Sequence, residues 1–225
     1  NQTEGEGIAS EAQDITFESG TYVITANDDG INAGGDGATI TFNGGEFYID
    51  ASGDGIDSNK DAIINGGTIF VMGSDTGGDA GIDTDDGFEI NGGTVIALGS
   101  DMVESPLASS TQNSFIFTLD ETIKEGTLVT LMCEDTEIIS FIADKSFRTL
   151  ILSLPTLETG DYQLYTGGMH SGTLRHGVYY GGVYTKGTLL SINSATSFTV
   201  SSTVNQYDDS GPGNGMGSGR PPMYF

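Results

Sequence analysis

An acidic segment recurs three times in this sequence, and its nearly constant spacing constrains the fold more than any other feature. The copies are Asp28-Asp29-Gly30-Ile31-Asn32, Asp54-Gly55-Ile56-Asp57 and Asp79-Ala80-Gly81-Ile82-Asp83, and Asp85 and Asp86 follow the last one. The central isoleucines fall at positions 31, 56 and 82, so the steps are 25 and 26 residues. A period in the twenties is typical of solenoids, whose coils stack on one another. Stacked coils would place these carboxylates in a column.

Two alternating strands in each period support a stack of coils. A strand follows each of the glycines at positions 20, 45, 67 and 93, and its second and fourth residues are apolar, as expected of a strand with one buried face. A shorter strand with two inward-facing residues precedes each glycine. The inward pairs of the longer strands are Tyr22/Ile24, Phe47/Ile49, Ile69/Val71 and Val95/Ala97, and those of the shorter strands are Ile15/Phe17, Ile40/Phe42, Ala62/Ile64 and Phe88/Ile90.

Asn-Gly-Gly turns join the two strands in three of the coils, at Asn43-Gly44-Gly45, Asn65-Gly66-Gly67 and Asn91-Gly92-Gly93. Asn and Gly tolerate positive φ, so these turns predict tight corners, and stacked asparagines can hydrogen-bond as a ladder. The acidic segment supplies a third strand, and three short strands per coil describe a parallel β-helix. The segment 6–10 resembles the tail of an earlier, incomplete coil, which predicts an open strand edge there.

The second half has a different pattern. Short runs of alternating apolar and polar residues extend from Ser114 to Ser202, with turns such as Lys124-Glu125-Gly126 between them, which is typical of antiparallel β-structure. We therefore predict an all-β protein: a short right-handed parallel β-helix in residues 1–112, an antiparallel β-sandwich-like domain in residues 113–204, and a Gly/Pro-rich C-terminal tail in residues 205–225. The composition of the tail is typical of a disordered segment.

The charge of the chain excludes some partners. There are 32 acidic residues against 7 Lys and Arg, for a net charge of -25, and residues 1–112 hold 21 of the acids and a single base. Nucleic-acid binders carry basic surfaces, so we expect no nucleic acid partner. No apolar run approaches the length of a membrane span. The chain begins at Asn1 without a signal-like segment, as expected of a processed chain or a part of a longer one.

The predicted column of carboxylates requires an explanation. Carboxylates on neighbouring strands lie ~5 Å apart and repel, and outward solvation, protonation or a hard divalent cation would each relieve them. Ca²⁺ accepts oxygens from carboxylates, carbonyls and water in flexible geometry. Because the acids recur in register, we predict structural Ca²⁺ between adjacent coils, and a solvated acidic edge is the alternative. The candidate ligands are Asp28, Asp29, Asn32, Asp54, Asp57, Asp79, Asp83 and Asp85, with Asp50, Asp61 and Asp86 as further candidates.

These motifs resemble a known family. Residues 27–33, 53–58 and 91–97 are similar to the bacterial carbohydrate-binding β-helix family, whose members are polysaccharide-lyase-like, calcium-containing proteins of clostridia and their relatives. The similarity continues through residues 109–114, 126–129 and 165–168. The resemblance implies an extracellular or cell-surface protein that binds plant-type polysaccharide, cellulosic or pectic, together with Ca²⁺.

Catalytic activity is not expected. A lyase on this scaffold needs a basic residue to remove a proton beside the calcium-bound carboxylate. Residues 1–112 contain no Arg and no His, and we interpret their one base, Lys60, as a solvated turn residue. His170 and His176 lie in a Gly/Tyr-rich stretch without an evident nucleophile. We therefore predict no catalytic residues and a binding role.

Two groups of residues are candidates for sugar contact. The first is an outward column on the longer strands, Val23, Tyr48, Phe70 and Ile96, for which burial under the second domain is the simpler explanation. The second is the group of Tyr179, Tyr180 and Tyr184. Self-assembly is the alternative function: an open first coil and a docking tail, with its aromatics at residues 220–225, would join subunits head to tail into a homo-oligomeric filament or surface layer.

Overall fold

The computed structural model describes residues 5–190, 197–208 and 211–212, and all regular secondary structure in them is β-strand. These residues include no helix that is long and apolar enough to cross a membrane. The predicted all-β fold is confirmed. The first half is a parallel β-helix whose coils stack in three sheets, which we name the acidic sheet, the short sheet and the long sheet.

Each of the three sheets takes one strand from each coil. The acidic sheet contains β1 (Ile8–Ser10), β4 (Ile31–Ala33), β7 (Ile56–Ser58) and β10 (Ile82–Thr84). The short sheet contains β2 (Ile15–Phe17), β5 (Ile40–Phe42), β8 (Asp61–Ile64) and β11 (Gly87–Ile90). The long sheet begins with β3 (Thr21–Ala26), β6 (Glu46–Ala51), β9 (Thr68–Met72) and β12 (Thr94–Gly99).

The recurring isoleucines stack as the period predicts. Ile8, Ile31, Ile56 and Ile82 are aligned from coil to coil in the acidic sheet, and the last three are fully buried inside the β-helix. The predicted partial coil before the first complete one is present as β1. Because side chains alternate along a strand, the residues one position further along face outwards.

The Asn-Gly-Gly corners form the predicted ladder. Asn65 donates a hydrogen bond from Nδ2 to Asn43 Oδ1 at 3.0 Å, and Asn91 donates to Asn65 Oδ1 at 3.4 Å. Gly67 has a φ of +98°, and a Cβ at this position would lie 2.7 Å from the carbonyl oxygen of Gly45 in the coil below. Only glycine fits such a corner, because the left-handed conformation and the close approach of the backbone both exclude a side chain.

The β-helix continues beyond β12 in irregular form through residues 101–112. The main-chain N–H groups of Leu107 and Gln112 donate to the carbonyl oxygens of Phe88 and Ile90, at 2.7 and 3.1 Å. These bonds are the ones that another strand of the short sheet would make. Residues 101–112 therefore cover the last rung of that sheet without forming regular strand.

The second half provides the remaining strands of the described chain. They are β13 (Ser114–Ile123), β14 (Leu128–Cys133), β15 (Thr136–Ile142), β16 (Phe147–Ser153), β17 (Gly160–His170), β18 (Thr173–Arg175), β19 (Val178–Tyr180), β20 (Tyr184–Leu189), β21 (Phe198–Val200), β22 (Val204–Asp208) and β23 (Gly211–Pro212).

One sheet of the sandwich is a continuation of the β-helix. β12 pairs with β9 in parallel on one side and with β16 antiparallel on the other, so the long sheet runs on through β16, β13, β22 and β23. The other sheet, which we name the cover sheet, has the order β18-β19-β15-β14-β17-β20, and β21 pairs with β17. The predicted antiparallel sandwich is present, but it shares a sheet with the helical half.

Two hydrophobic cores lie on the two faces of the long sheet. In β9, Ile69 and Val71 point into the β-helix, whereas Phe70 and Met72 point towards the cover sheet, and all four are buried. The sequence of a parallel strand that is buried on both faces is a continuous run of apolar residues, without alternation between apolar and polar residues. The sequence of β9 is such a run. The cover sheet is thus held by burial against the side of the β-helix.

The outward column shows where the cover sheet ends. Phe70 and Ile96 are fully buried beneath it, and Tyr48 is half-buried with its hydroxyl donating to Asp144 at 2.6 Å. Val23, one coil further away, is 63% exposed. Burial under the second domain, the simpler explanation, is confirmed for Phe70 and Ile96, so this column does not form a sugar platform.

The predicted tail is only partly within the described residues. β22 lies parallel to β13 in the long sheet, and the predicted boundary between residues 204 and 205 falls inside this strand. The aromatic segment 220–225, for which we predict docking on a neighbouring subunit, lies outside the described residues.

Candidate functional site

The acidic sheet brings three predicted ligands into one outward row. Asn32, Asp57 and Asp83 occupy equivalent positions in β4, β7 and β10, directly in register from one coil to the next. All three are half-buried. Adjacent strands are ~4.8 Å apart, so the carboxylates of Asp57 and Asp83 are close enough to repel each other.

A second row of carboxylates ties the coils together through the main chain. Asp29 Oδ1 accepts the N–H of Asp54 at 2.8 Å, and Asp54 Oδ1 accepts the N–H of Ala80 at 2.5 Å. Each carboxylate therefore binds the equivalent position of the next coil. Hydrogen bonds of this charged type are stronger than neutral ones and favour the ionised form of the acceptor.

Asn32 connects the two rows. Its Nδ2 donates to Asp29 Oδ2 at 2.9 Å and to Asp57 Oδ2 at 3.1 Å. The amide therefore compensates part of the negative charge on both carboxylates. The next step of the row differs, because β7 and β10 both carry aspartate, at Asp57 and Asp83, where β4 carries Asn32.

The glycine before each isoleucine allows the two rows to approach. A Cβ on Gly55 would lie 2.5 Å from the carbonyl oxygen of Gly81 and 2.1 Å from Val71 Cγ2. A side chain at this corner would separate the coils, so glycine is required for the main-chain contacts that hold Asp29 and Asp54 in place.

Burial and crowding oppose ionisation in this region. Burial raises the pKa of Asp54 to about 7, although the N–H of Ala80 lowers it, and the charges of Asp83 and Asp29 raise it further. Burial likewise raises the pKa of Asp57 to about 6, with Asp29 and Asp83 adding to the effect. The rows thus hold more negative charge than their surroundings stabilise, and a proton or a cation relieves it.

A carboxylate that the sequence analysis missed lies beside these rows. Glu104 accepts a hydrogen bond from Thr84 Oγ1 at 2.6 Å, and burial raises its pKa to about 7, with Asp83 and Asp85 adding to the shift. Residues 101–104, Asp-Met-Val-Glu, follow the pattern of residues 54–57, Asp-Gly-Ile-Asp. The missed signal is this degenerate fourth copy of the acidic segment, which lacks the glycine.

The remaining predicted ligands divide into two groups. Asp28 raises the pKa of Asp79, and Asp85 raises that of Asp57, so both lie within electrostatic reach of the rows. Two of the further candidates are instead engaged with lysines elsewhere. Asp50 forms an ion pair with Lys145 at 2.8 Å, and Asp61 forms one with Lys60 at 3.8 Å.

The donor chemistry fits a hard cation better than a soft one. Carboxylate, amide and main-chain oxygens are all present, and these are the ligands that Ca²⁺ accepts. Within the described residues, no three His, Cys, Asp or Glu side chains form a metal-binding group by themselves. A cation here would therefore need oxygens from Asn32, the main chain or water in addition to the carboxylates.

A separate cleft opens between the long sheet and the cover sheet. It has a volume of about 600 Å³ and lies where β9 and β12 begin. Thr68 and Thr94 contribute from the long sheet, Glu137 from β15, and Tyr179 and Tyr180 from β19. Of the three predicted tyrosines, Tyr184 is not in the lining. Its hydroxyl bonds the main chain instead, accepting the Gly187 N–H at 2.8 Å.

A buried hydrogen-bond chain fixes Glu137 in the cleft wall. His170 Nδ1 accepts the N–H of Gly172 at 2.9 Å, so Nε2 carries the proton and donates to Glu137 Oε1 at 2.8 Å. Ser140 Oγ donates to the same oxygen at 2.7 Å. The His170 side chain is only 1% exposed, and the Tyr179 ring lies 4.4 Å from it, centroid to centroid.

Both histidines are thereby accounted for. His176 Nδ1 pairs with Glu46 Oε1 at 3.0 Å, and Arg175 forms an ion pair with the same glutamate. Within the described residues, neither histidine is hydrogen-bonded to a Ser, Thr or Cys side chain, as activation of a nucleophile would require.

These features define the class of the protein as a parallel β-helix with an acidic face and a lateral cleft. A family model described as carbohydrate-binding domain-containing protein matches residues 2–140, more than half of the 225-residue chain. The chain therefore belongs to this family of carbohydrate-binding domain-containing proteins. A search of curated proteins found no match, and a search of solved structures found none. Calcium content and likeness to polysaccharide lyases stay predictions.

Proposed function

We propose that this protein is a non-catalytic, calcium-stabilised polysaccharide-binding protein that works outside the cell or on its surface. The observation that carries the proposal is the match of residues 2–140 to a carbohydrate-binding family. The fold agrees with such a role, because stacked coils provide an extended, rigid surface of the kind that binds long polymers.

The calcium part of the proposal is supported by the electrostatics of the acidic sheet. Asp57 and Asp83 lie in register on neighbouring strands, and burial raises the pKa of Asp54 to about 7. Bound Ca²⁺ would supply positive charge that lets these carboxylates stay ionised at neutral pH. The oxygens of Asn32, Asp57 and Asp83 would hold it, while Asp29 and Asp54 keep their main-chain hydrogen bonds between coils.

A binding assay with insoluble polymers tests the proposed function. The purified chain is incubated with cellulose and with cross-linked pectate, in Ca²⁺ and in EDTA, and the bound fraction is measured after sedimentation. We expect retention on at least one polymer in Ca²⁺, with no release of new reducing ends or unsaturated products. Retention on neither polymer would contradict the binding role, and product release would contradict the non-catalytic one.

Self-assembly is the second candidate function, and the sheet order favours it. In the described residues, β2 and β3 pair with only one neighbouring strand, whereas residues 101–112 cover the opposite end of the short sheet. An uncovered strand edge is a template for pairing with another chain. Negative-stain electron microscopy of the purified chain separates the two roles, because filaments support assembly and discrete particles that bind polymer support the first proposal.

A further inference from the structure

We propose that the cleft between the long sheet and the cover sheet is the sugar-binding site, and that its ligand is a neutral, hydroxyl-rich polysaccharide chain. This inference rests on the proposed function, since it assigns the binding to one place on the molecule. The cleft's volume of about 600 Å³ lies within the ~300–1,000 Å³ typical of ligand sites.

Two threonine hydroxyl groups line the cleft side by side. Thr68 and Thr94 are the first residues of β9 and β12 and lie directly in register on neighbouring coils. Both are half-buried and both line the cleft. A polysaccharide presents many hydroxyl groups, so this pair of threonines can exchange hydrogen bonds with it.

The wall of the cleft supplies apolar surface. Tyr180 lines the cleft and is 47% exposed. Tyrosine is common at binding surfaces because it combines an apolar ring with a polar hydroxyl group. The C–H face of a sugar ring packs against an aromatic ring, and Tyr180 is the aromatic residue of the cleft with the most exposed surface.

Glu137 is the charged residue of the cleft lining, and its neighbours hold its carboxylate in place. His170 and Ser140 both donate to Oε1, and within the described residues no hydrogen bond is made to Oε2. A carboxylate with one oxygen fixed and the other free is preorganised to accept a hydroxyl proton, so little conformational entropy is lost when the ligand binds.

The charges around the cleft exclude an acidic sugar. Five basic side chains of the described residues are already in ion pairs with carboxylates, and these are Lys60, Lys145, Arg148, Arg175 and Lys186. The one near Tyr180 is Arg175, which Glu46 holds. A uronate would meet the carboxylate of Glu137 in a lining whose described residues include no Lys or Arg, whereas a neutral glycan would meet no such repulsion.

Calorimetric titration with a soluble cello-oligosaccharide, in parallel with an oligogalacturonate, tests the assignment. We expect the wild-type chain to bind the neutral oligosaccharide and Tyr180→Ala to weaken this binding about tenfold or more, as for other central aromatic contacts. Tyr180→Phe keeps the ring and should bind within about threefold of wild type. Glu137→Gln should also weaken binding, because it replaces the free oxygen with a donor.

Val23→Ala is the matched control, because Val23 is exposed on the same long sheet at a distance from the cleft. Wild-type-like binding by Tyr180→Ala and Glu137→Gln, in chains that melt like wild type, would overturn the cleft assignment while leaving the proposed function intact. Tighter binding of oligogalacturonate than of the neutral oligosaccharide would overturn the neutral class. If the wild-type chain binds neither an oligosaccharide nor an insoluble polymer, the proposed function itself is contradicted.

Discussion

The outer faces of the acidic sheet and the long sheet come from the same coils but are stabilised in opposite ways. On the acidic sheet, the side chains of Asn32, Asp57 and Asp83 form a half-buried polar row, in which the Asn32 amide donates to Asp57. On the long sheet, Phe70 and Ile96 are buried beneath a second sheet. The difference indicates that the inward residues stabilise the stack of coils, whereas the outward residues determine what each sheet contacts.

The strongest test of this contrast removes a buried ring from the long sheet. Phe70→Ala should lower the free energy of unfolding by about 3–5 kcal/mol, because it leaves a cavity between Phe141 and the β-helix. Val23→Ala, in the equivalent position of an exposed coil, should change it by less than about 0.5 kcal/mol. Denaturant unfolding measures both, and similar effects for the two variants would contradict the contrast.

Metal removal should have the next largest effect, and it acts on the acidic sheet alone. At Ca²⁺ about 1,000-fold above its dissociation constant, bound metal adds about 4 kcal/mol, which corresponds to roughly 10 °C in melting temperature for a chain of this size. Differential scanning calorimetry in Ca²⁺ and in EDTA measures the shift. Asp57→Asn combined with Asp83→Asn should abolish most of it.

An unchanged melting temperature in EDTA would contradict the calcium prediction. Mg²⁺ in place of Ca²⁺ provides a control for general charge screening, because Mg²⁺ demands a stricter geometry and keeps its water. If both ions raise the melting temperature equally, the acidic sheet is only screened and holds no selective site.

The metal-free chain should lose stability as the pH rises towards neutrality. The pKa values of Asp54 and Glu104 are raised to about 7 in the folded state, so the folded chain binds more protons than the unfolded chain between about pH 4 and pH 7. Stability in EDTA should therefore fall as the pH rises through this window. Melting temperatures measured from pH 5 to pH 8 test this expectation.

The pH experiment has its own control. Asp54→Asn cannot ionise, so it should reduce the pH dependence in EDTA, while the raised pKa values of Glu104 and Asp57 leave the remainder. Saturating Ca²⁺ should also reduce it in the wild type. A melting temperature that rises from pH 5 to pH 8 in EDTA would show that the carboxylates are already compensated within the chain.

The smallest expected effect is in the asparagine ladder. Asn65→Ala removes the bonds to Asn43 and Asn91 at an exposed corner, and we expect a loss of about 1 kcal/mol, since a typical hydrogen bond contributes that much. Denaturant unfolding of this variant is compared with that of Asn43→Ala. A loss as large as that of Phe70→Ala would mean that the corners, rather than burial, hold the coils.

The repeat made the β-helix predictable almost strand by strand. Period-two alternation defines which residues face inwards, and the acidic period defines the register, so Ile31, Ile56 and Ile82 were aligned without a structure. The pairing of β12 with β16 was not predictable, because the antiparallel partner strand does not belong to the repeat and its register cannot be inferred from the period. The acidic segment at residues 101–104 was missed because it had lost its glycine.

The cleft illustrates a second limit of sequence analysis. Its residues come from positions 68, 94, 137 and 179–182 and from the turn at 154–156, and no local pattern links them. The sequence indicates Tyr179 and Tyr180 as candidates because they belong to a cluster of tyrosines. It does not indicate Glu137, because the role of this residue depends on His170, which lies in another strand.

The shared strand β12 also bears on how proteins of this kind can change in length. The cleft is lined from the last two coils, the cover sheet reaches one coil further to Glu46 and Tyr48 of β6, and β3 lies beyond both. Whole coils of 25 or so residues can therefore be duplicated or deleted upstream of β6 while the cleft is inherited intact. Evolution can tune the reach of such a molecule independently of its specificity.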